Sequence, residues 1–341
     1  MFYIICFIVS LVIMLLVLGY GKNFDNNIIF LMIVLAVGNG GYMALDLAEN
    51  LPVAILANKL TYASGAFGPL LVFFTVCNIC RVKIPTFLRM ALYTIQTAIF
   101  MSACTIGRLD IFYKSVELKS GPAGNYLVKT YGPLHSVHLA MLALFTLASM
   151  VIAFISIERK SVVSRVNVYL LIFINTLCVG VYIVERVLRL PYEILPMTYI
   201  ICVLIMLIPL VKIYTYSVST NENIVNNELS KRDFIVFSRK LRYMSCNKYA
   251  TELFPELSEW ELEKKIPGSG GRFNTFLRKP LNDYAEKNSG VAASGKYSYK
   301  GNVFRYEIEP LYIFNKLNEG YVIKITDVTD IVGSNENESE N

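Results

Sequence analysis

Apolar residues do not alternate along the first two thirds of this chain; they run together in long blocks. Seven such blocks stand out, at about residues 1–20, 28–47, 55–79, 87–106, 135–157, 166–187 and 194–216. At about 1.5 Å rise per residue, roughly 20 residues cross a hydrocarbon core, so each block is long enough to be a membrane helix, with Pro209 tolerable as a kink in the last. The first block lacks a basic start and a small-residue cleavage site, which argues for a retained helix and against a cleaved leader. The second carries Gly38, Gly40 and Gly41, small residues that let helices approach closely. Seven crossings put the two ends of the chain on opposite sides.

Between the fourth and fifth blocks the pattern changes. Residues 112–118 and 126–131 alternate in the manner of strands around turn chemistry at 120–125, which predicts a β-hairpin lid over the bundle. Residues 217–230 are polar and Asn-rich and form a linker. From 231 the pattern is mixed: strands near 234–237 and 242–246, a helix near 248–257, a loop at 268–271, a partly helical run at 272–287 containing Pro280, and strands near 295–300, 303–312 and 321–326. Two strands, helices, then three strands describe a small α+β domain over 231–330, an antiparallel sheet with helices on one face. Residues 331–341 form an acidic polar tail expected to be disordered.

Composition agrees with a membrane bundle of seven helices over 1–216. The chain has 341 residues, 55% of them hydrophobic and 17% charged, with a mean hydropathy of +0.48, values foreign to a soluble domain of this length. The basic excess lies in the membrane half, with 15 Lys and Arg against 10 Asp and Glu up to residue 230, and 17 against 16 afterwards. The near-neutral second half gives no electrostatic reason to expect a nucleic-acid partner. Basic residues are denser in the short loops that would face inward (Lys22; Arg81, Lys83, Arg89; Arg159, Lys160, Arg165), which predicts the amino terminus outside and the carboxyl terminus in the cytosol. The seven cysteines are spread singly; Cys77 and Cys80 form a CxxC with no second pair or nearby His to complete a zinc site, so packing is the plainer reading.

Candidate chemistry collects at the outer ends of the helices. Asp46 and Glu49 close the second block and Lys59 lies early in the third. Charges near a bilayer are rare and usually paired or functional, so Asp46 and Lys59 could form a ligand-responsive lock, with a static pair or snorkelling as the plainer alternative. His135 and His138 share one helical face and could bind metal or report pH, or simply hydrogen-bond to the hairpin. Glu185, Arg186 and Arg189 read as interfacial charges. In the second half no histidine exists to hold a haem, and no cofactor is expected.

Two resemblances enter on particular stretches. GYMALDLAENLP, KLTYAS with GPLLVFF, FYKSVEL and YGPLHSVHL together resemble the seven-helix N-terminal sensor region of bacterial histidine kinases and diguanylate cyclases; the resemblance places Asp46, Lys59, Tyr62 and His138 at positions of that pattern. DFIVFSRKLRYMSCNKYATELFPEL and GYVIKITDVTD resemble the opening and closing of a PAS domain, with Asp327 and Thr329 matching the Asp-x-Thr at its signal exit. The resemblance implies a multi-pass protein of the bacterial inner membrane that detects a small extracellular or membrane ligand. It would relay the signal through its seventh helix to a PAS domain and on to a cytosolic partner, a kinase or cyclase of a two-component system, with a homodimer as one arrangement. No phosphoacceptor histidine, ATP-binding motif or GGDEF-like stretch follows, so no enzyme activity is expected of this chain itself. The alternative is a transporter or channel with an accessory cytosolic domain; the lack of an inverted repeat and of mid-membrane charges stands against it.

Overall fold

The computed structural model describes residues 1–20, 25–121, 124–159, 163–188, 192–216, 233–268, 271–287, 292–313 and 317–329. The linker at 217–230, the tail at 331–341 and Arg189 lie outside these residues, as does the side chain of Arg186. The chain divides into two compact units. The first comprises 1–158 and 166–210, the second 159–165 and 211–341.

Among the described residues seven helices, which make up most of the first unit, are long and apolar enough to cross a membrane: α1 (Phe2–Tyr20), α2 (Asn26–Asp46), α3 (Leu51–Ile79), α4 (Thr86–Cys104), α5 (Pro133–Ser156), α6 (Arg165–Leu188) and α7 (Leu195–Tyr216). Helix α3 starts four residues earlier than hydropathy predicts, because Asn50 caps it by accepting from the Val53 amide at 3.1 Å and Pro52 is pre-set for a first turn. It is the central helix, packed on α2, α4 and α5. Gly41 explains the α2–α3 approach: a β-carbon there would lie 2.6 Å from the Thr61 amide nitrogen and 2.9 Å from the Ala57 carbonyl, so only glycine fits. Along α5, Leu144, Leu147, Val151 and Ile155 form an exposed apolar stripe, the surface a helix presents to lipid.

Between α4 and α5 lies the hairpin, β1 (Tyr113–Gly121) and β2 (Gly124–Tyr131). Its ladder runs from Tyr113↔Tyr131 to Gly121↔Gly124, so the strands extend further into the turn than alternation alone predicts. Leu127 packs with Leu45, Ala48, Ala54 and Ala57, while Phe112 and Tyr113 pack with Ile99, Ala103 and Ile106. The hairpin is thereby seated across the α2–α3 turn and the end of α4.

The second unit is a five-stranded antiparallel sheet made of β3 (Asp233–Ser238), β4 (Tyr243–Cys246), β5 (Ala293–Tyr299), β6 (Asn302–Ile313) and β7 (Leu317–Asp327), in the order β4-β3-β7-β6-β5. Helices α8 (Lys248–Leu253) and α9 (Gly271–Lys287) bury Phe254, Trp260, Phe273 and Leu277 against Ile235, Phe237, Ile308 and Ile323 on one face. The single helix expected at 248–257 is broken at Phe254 (φ −121°, ψ 85°), because the residue before Pro255 is driven from the helical region, and a 3-10 turn follows. Pro310 sits inside β6 beyond its last described pair with β5, Ala293↔Ile308, so among the described residues its missing amide hydrogen breaks no ladder on that edge.

The face of this sheet opposite those helices also carries buried apolar side chains. Phe234, Val236, Leu311 and Val322 form a second buried cluster, packed with Met244 and Tyr216.

Candidate functional site

The outer ends of the helices and the underside of the hairpin enclose a cavity of about 260 Å³ with an unusually tyrosine-rich wall: Tyr3, Tyr42, Tyr62, Tyr113, Tyr126, Tyr131, Tyr182, Tyr192 and Tyr199 all line it, with Lys129, His135, His138, Glu185 and Glu193. Helix α3 supplies Tyr62, whose hydroxyl hydrogen-bonds that of Tyr113 at the start of β1. Its ring stands edge-on to Phe112 at 4.9 Å and to His138 at 5.5 Å. Burial raises the Tyr113 phenol, opposed by the nearby Lys129 ammonium and by the Tyr62 hydroxyl, so this phenol is a neutral hydrogen-bonding group.

Three residues apart at the start of α5, the two histidines share a face with ring centroids 6.0 Å apart, and each is only 4% exposed. His135 is held in an aromatic box: Tyr131 stacks on it at 3.9 Å and 17°, and Phe112 meets it edge-on at 5.5 Å. His138 has a buried Nδ1 with no hydrogen-bond partner among the described residues. Also among those residues, no group of three His, Cys, Asp or Glu side chains comes together to hold a metal ion.

The other sequence-predicted residues are distributed differently. The Asp46 side chain is nearly buried at the end of α2, its carboxylate close against Gly124 in the hairpin turn and 3.9 Å from the amino-terminal nitrogen of Met1. Among the described residues no ion pair joins Asp46 to Lys59, and the charged group nearest to the Asp46 carboxylate is the amino terminus of Met1. Glu49 is exposed in that turn. Tyr62, His135 and His138 do come together in the cavity.

Sequence reasoning missed the ties between the hairpin and α7. Lys129 on β2 reaches Glu193 at 3.6 Å, and the Glu193 amide donates to the Tyr3 hydroxyl at 2.9 Å. Glu185, read as an interfacial charge, accepts from the amides of Ile194 and Leu195 (2.8 Å for the latter) and so caps the start of α7. The signal was present as a concentration of tyrosines at one end of the helices, which reads equally well as an interfacial aromatic belt.

Helix α7 continues into the second unit at Val211. There Lys212 pairs with Glu263 at 3.3 Å, the Tyr216 hydroxyl donates to the Glu319 carbonyl at 3.0 Å, and the Ser245 hydroxyl donates to the Tyr216 carbonyl. At the far end of β7, Thr329 donates its amide to Asp327 Oδ1 at 2.9 Å, its hydroxyl donates to the same oxygen, and Thr329 Oγ1 accepts from the Val303 amide at 2.9 Å.

A family model described as the N-terminal 7TM region of histidine kinase matches residues 2–219. The chain belongs to that family. It is thus a multi-pass membrane protein of the sensor class, and the matched region is the sensing part of such kinases and not their catalytic part. No curated protein matches the chain. Among solved structures it is similar to the PAS domain of histidine kinase ThkA, at 21% identity and a TM-score of 0.25, covering 28% of this chain and 99% of that one. It is also similar to the sensor region of a sensor histidine kinase, at 14% identity and a TM-score of 0.23, covering 41% and 56% of the two chains.

Proposed function

We propose that this chain detects a small extracellular or membrane ligand in the tyrosine-lined cavity and relays its binding along α7 to the PAS-like unit, from which a cytosolic kinase or cyclase takes the signal. The observation that carries this reading is the pair of ties at the head of α7. The hairpin that roofs the cavity is joined to the residue before Ile194 through Lys129 and Glu193, and the first amides of α7 rest on Glu185. A ligand that lifts or settles the hairpin therefore acts on α7 directly, and α7 is fastened at its other end to the sheet through Tyr216. A ligand shifts such an equilibrium only by its differential affinity for the two states.

The amino terminus lies outside in this reading. Reporter fusions test it: a cytosol-active reporter after Tyr20 or Ile157 gives activity, and one at Gly121 gives none. The relay is tested in the full chain in nanodiscs carrying a nitroxide at Thr215→Cys in a background free of other cysteines. Lys129→Glu on the hairpin changes the mobility of that label; an unchanged spectrum means that α7 does not report on the hairpin, and the reading fails.

A further inference from the structure

We infer that the ligand is an amphiphile with an uncharged, hydrogen-bonding head and a single apolar tail, the head in the tyrosine-lined cavity and the tail in a second cavity directly beneath it. The inference rests on the reading of the outer cavity as a ligand site and specifies what that site takes.

The second cavity has a volume of about 630 Å³ and lies among α2, α3, α5, α6 and α7. Its wall is mostly apolar, with Ser64, Thr146, Asn175 and Thr176 among the polar exceptions, and it shares Leu139, Leu142, Tyr182, Leu195 and Tyr199 with the outer cavity, so the two adjoin across these side chains. Alone, the outer cavity falls below the range of about 300–1,000 Å³ usual for small-molecule sites, whereas the lower cavity lies within it. Gly68 on α3 is buried, yet a β-carbon added there would meet no atom within 4 Å, which marks it as facing open space inside the bundle. Leu147 and Ile183 on the rim are 62% and 51% exposed, so the lower cavity opens to the side that faces lipid, and a tail can enter from the bilayer.

The chemistry of the upper part selects the head. Among the described residues its charged side chains are one ammonium, Lys129, and two carboxylates, Glu185 and Glu193, which disfavours an anionic head such as a fatty-acid carboxylate or a phosphate. Its other polar groups are phenols and imidazoles, with the Thr61 hydroxyl and the Asn125 amide, suited to hydroxyl, ester or amide groups. The buried, unpartnered Nδ1 of His138 is a polar atom that a hydroxyl or carbonyl of the head would satisfy.

The test uses the full chain in phosphatidylcholine nanodiscs and two photoprobes with a mid-chain diazirine: a long-chain 1-monoacylglycerol, neutral and single-tailed, and a phosphatidylglycerol, anionic and two-tailed. Mass spectrometry locates the adducts. The neutral probe is expected to label Met150 and Met206 in the lower cavity and to be competed by unlabelled monoacylglycerol but not by the fatty acid of the same chain. Labelling falls about tenfold in Gly68→Leu, the effect of overpacking an occupied cavity, and Gly180→Leu serves as a second filling variant should the first fail to fold. His138→Leu reduces labelling there as well, because head and tail bind together. The inference is overturned if both probes label the lower cavity equally, if the filling variants leave labelling unchanged, or if His138→Leu has no effect. In the last case the lower cavity is an independent lipid groove, while the relay from the outer cavity, tested separately by the label at Thr215, stands or falls on its own.

Discussion

Lys129 and Glu193 lie 3.6 Å apart, and through them the second strand of the hairpin is joined to the residues that lead into α7. The Lys129 side chain is 15% exposed and that of Glu193 41%, so the pair is half-wet, and its loss costs on the order of 0.5 kcal/mol. Its value is geometric. Lys129→Ala is expected to change stability little, whereas Lys129→Glu sets two carboxylates against each other and raises amide exchange along β2. The double change Lys129→Glu with Glu193→Lys should restore protection. A swap that exchanges as fast as Lys129→Glu alone would mean that the hairpin is held by its apolar seat only.

A second expectation concerns the tip of the hairpin. Gly124 has φ +116°, a conformation L side chains rarely adopt, and the Asp46 carboxylate occupies the space its β-carbon would need. Gly124→Ala should therefore cost about 1–3 kcal/mol of local stability and undock the turn from α2. The smaller Asp46→Ala relieves the clash but not the backbone strain, so the double variant should recover only part of the loss, measured by exchange at Asn125 and Leu127. Because Asp46 faces this turn and not Lys59, exchanging the charges of Asp46 and Lys59 should give no rescue over the single changes.

Most of the fold was readable because membrane helices and alternating strands are written in hydropathy alone. The hairpin was equally legible, since Val116 and Leu118 alternate with Ser115, Glu117 and Lys119. The site was half legible. Tyr62, His135 and His138 are conspicuous as polar aromatic residues inside apolar blocks, but Lys129, Glu185 and Glu193 acquire a role only from where the hairpin and the α6–α7 turn meet, and no local pattern encodes that meeting. The apolar outer face of the sheet was missed for a similar reason: Phe234, Val236 and Val322 alternate with residues that are also apolar, so periodicity assigns no wet side.

The cysteines of α6 and α7 offer a test of helix packing. The sulfurs of Cys178 and Cys202 are 3.4 Å apart on the wall of the lower cavity. A membrane-permeant oxidant should join them as a disulfide after a small adjustment, while Cys6, Cys77 and Cys104 stay free, read as a shift in mass of the peptides that span α6 and α7. If that pair resists oxidation while another forms, the two helices do not face each other as described.

Asp233 opens β3 and supplies a pH dependence. Burial, with the Asp327 and Glu252 carboxylates adding to it, raises its carboxyl from 3.8 to about 6. A raised folded-state value means the folded form holds the proton more tightly. Stability from this group is therefore fully present below about pH 4 and is lost as pH rises through about 6. At neutral pH the ionised group is a liability, and since it is about half exposed the penalty is discounted to about 1 kcal/mol. Asp233→Asn should stabilise the second unit by about that amount at pH 7 and not at pH 4, measured by exchange of the β3 amides in the full chain; equal effects at both values would rule out the carboxylate as the cause.

The last expectation joins that carboxylate to the proposed signal exit. Asp327 accepts from both the amide and the hydroxyl of Thr329, and Thr329 Oγ1 accepts from the Val303 amide, so three hydrogen bonds fix the direction in which the chain leaves β7. Thr329→Val keeps the shape but removes the acceptor for Val303 N–H, costing about 1 kcal/mol, while Thr329→Ser keeps it. The Val303 amide should thus exchange faster in the first variant and unchanged in the second. Asp327→Ala should cost a similar, modest amount, because Val328 still donates to the Val303 carbonyl at 2.9 Å and holds the strand end in place. It also removes one of the charges that raise Asp233, so the Asp233 titration should move below about 6 in that variant. Both effects together are what a connected exit demands: loosening at Thr329 with no change at Asp233 would leave Asp327 a local cap, and a change at Asp233 with Thr329 still protected would mean that the backbone direction is set elsewhere.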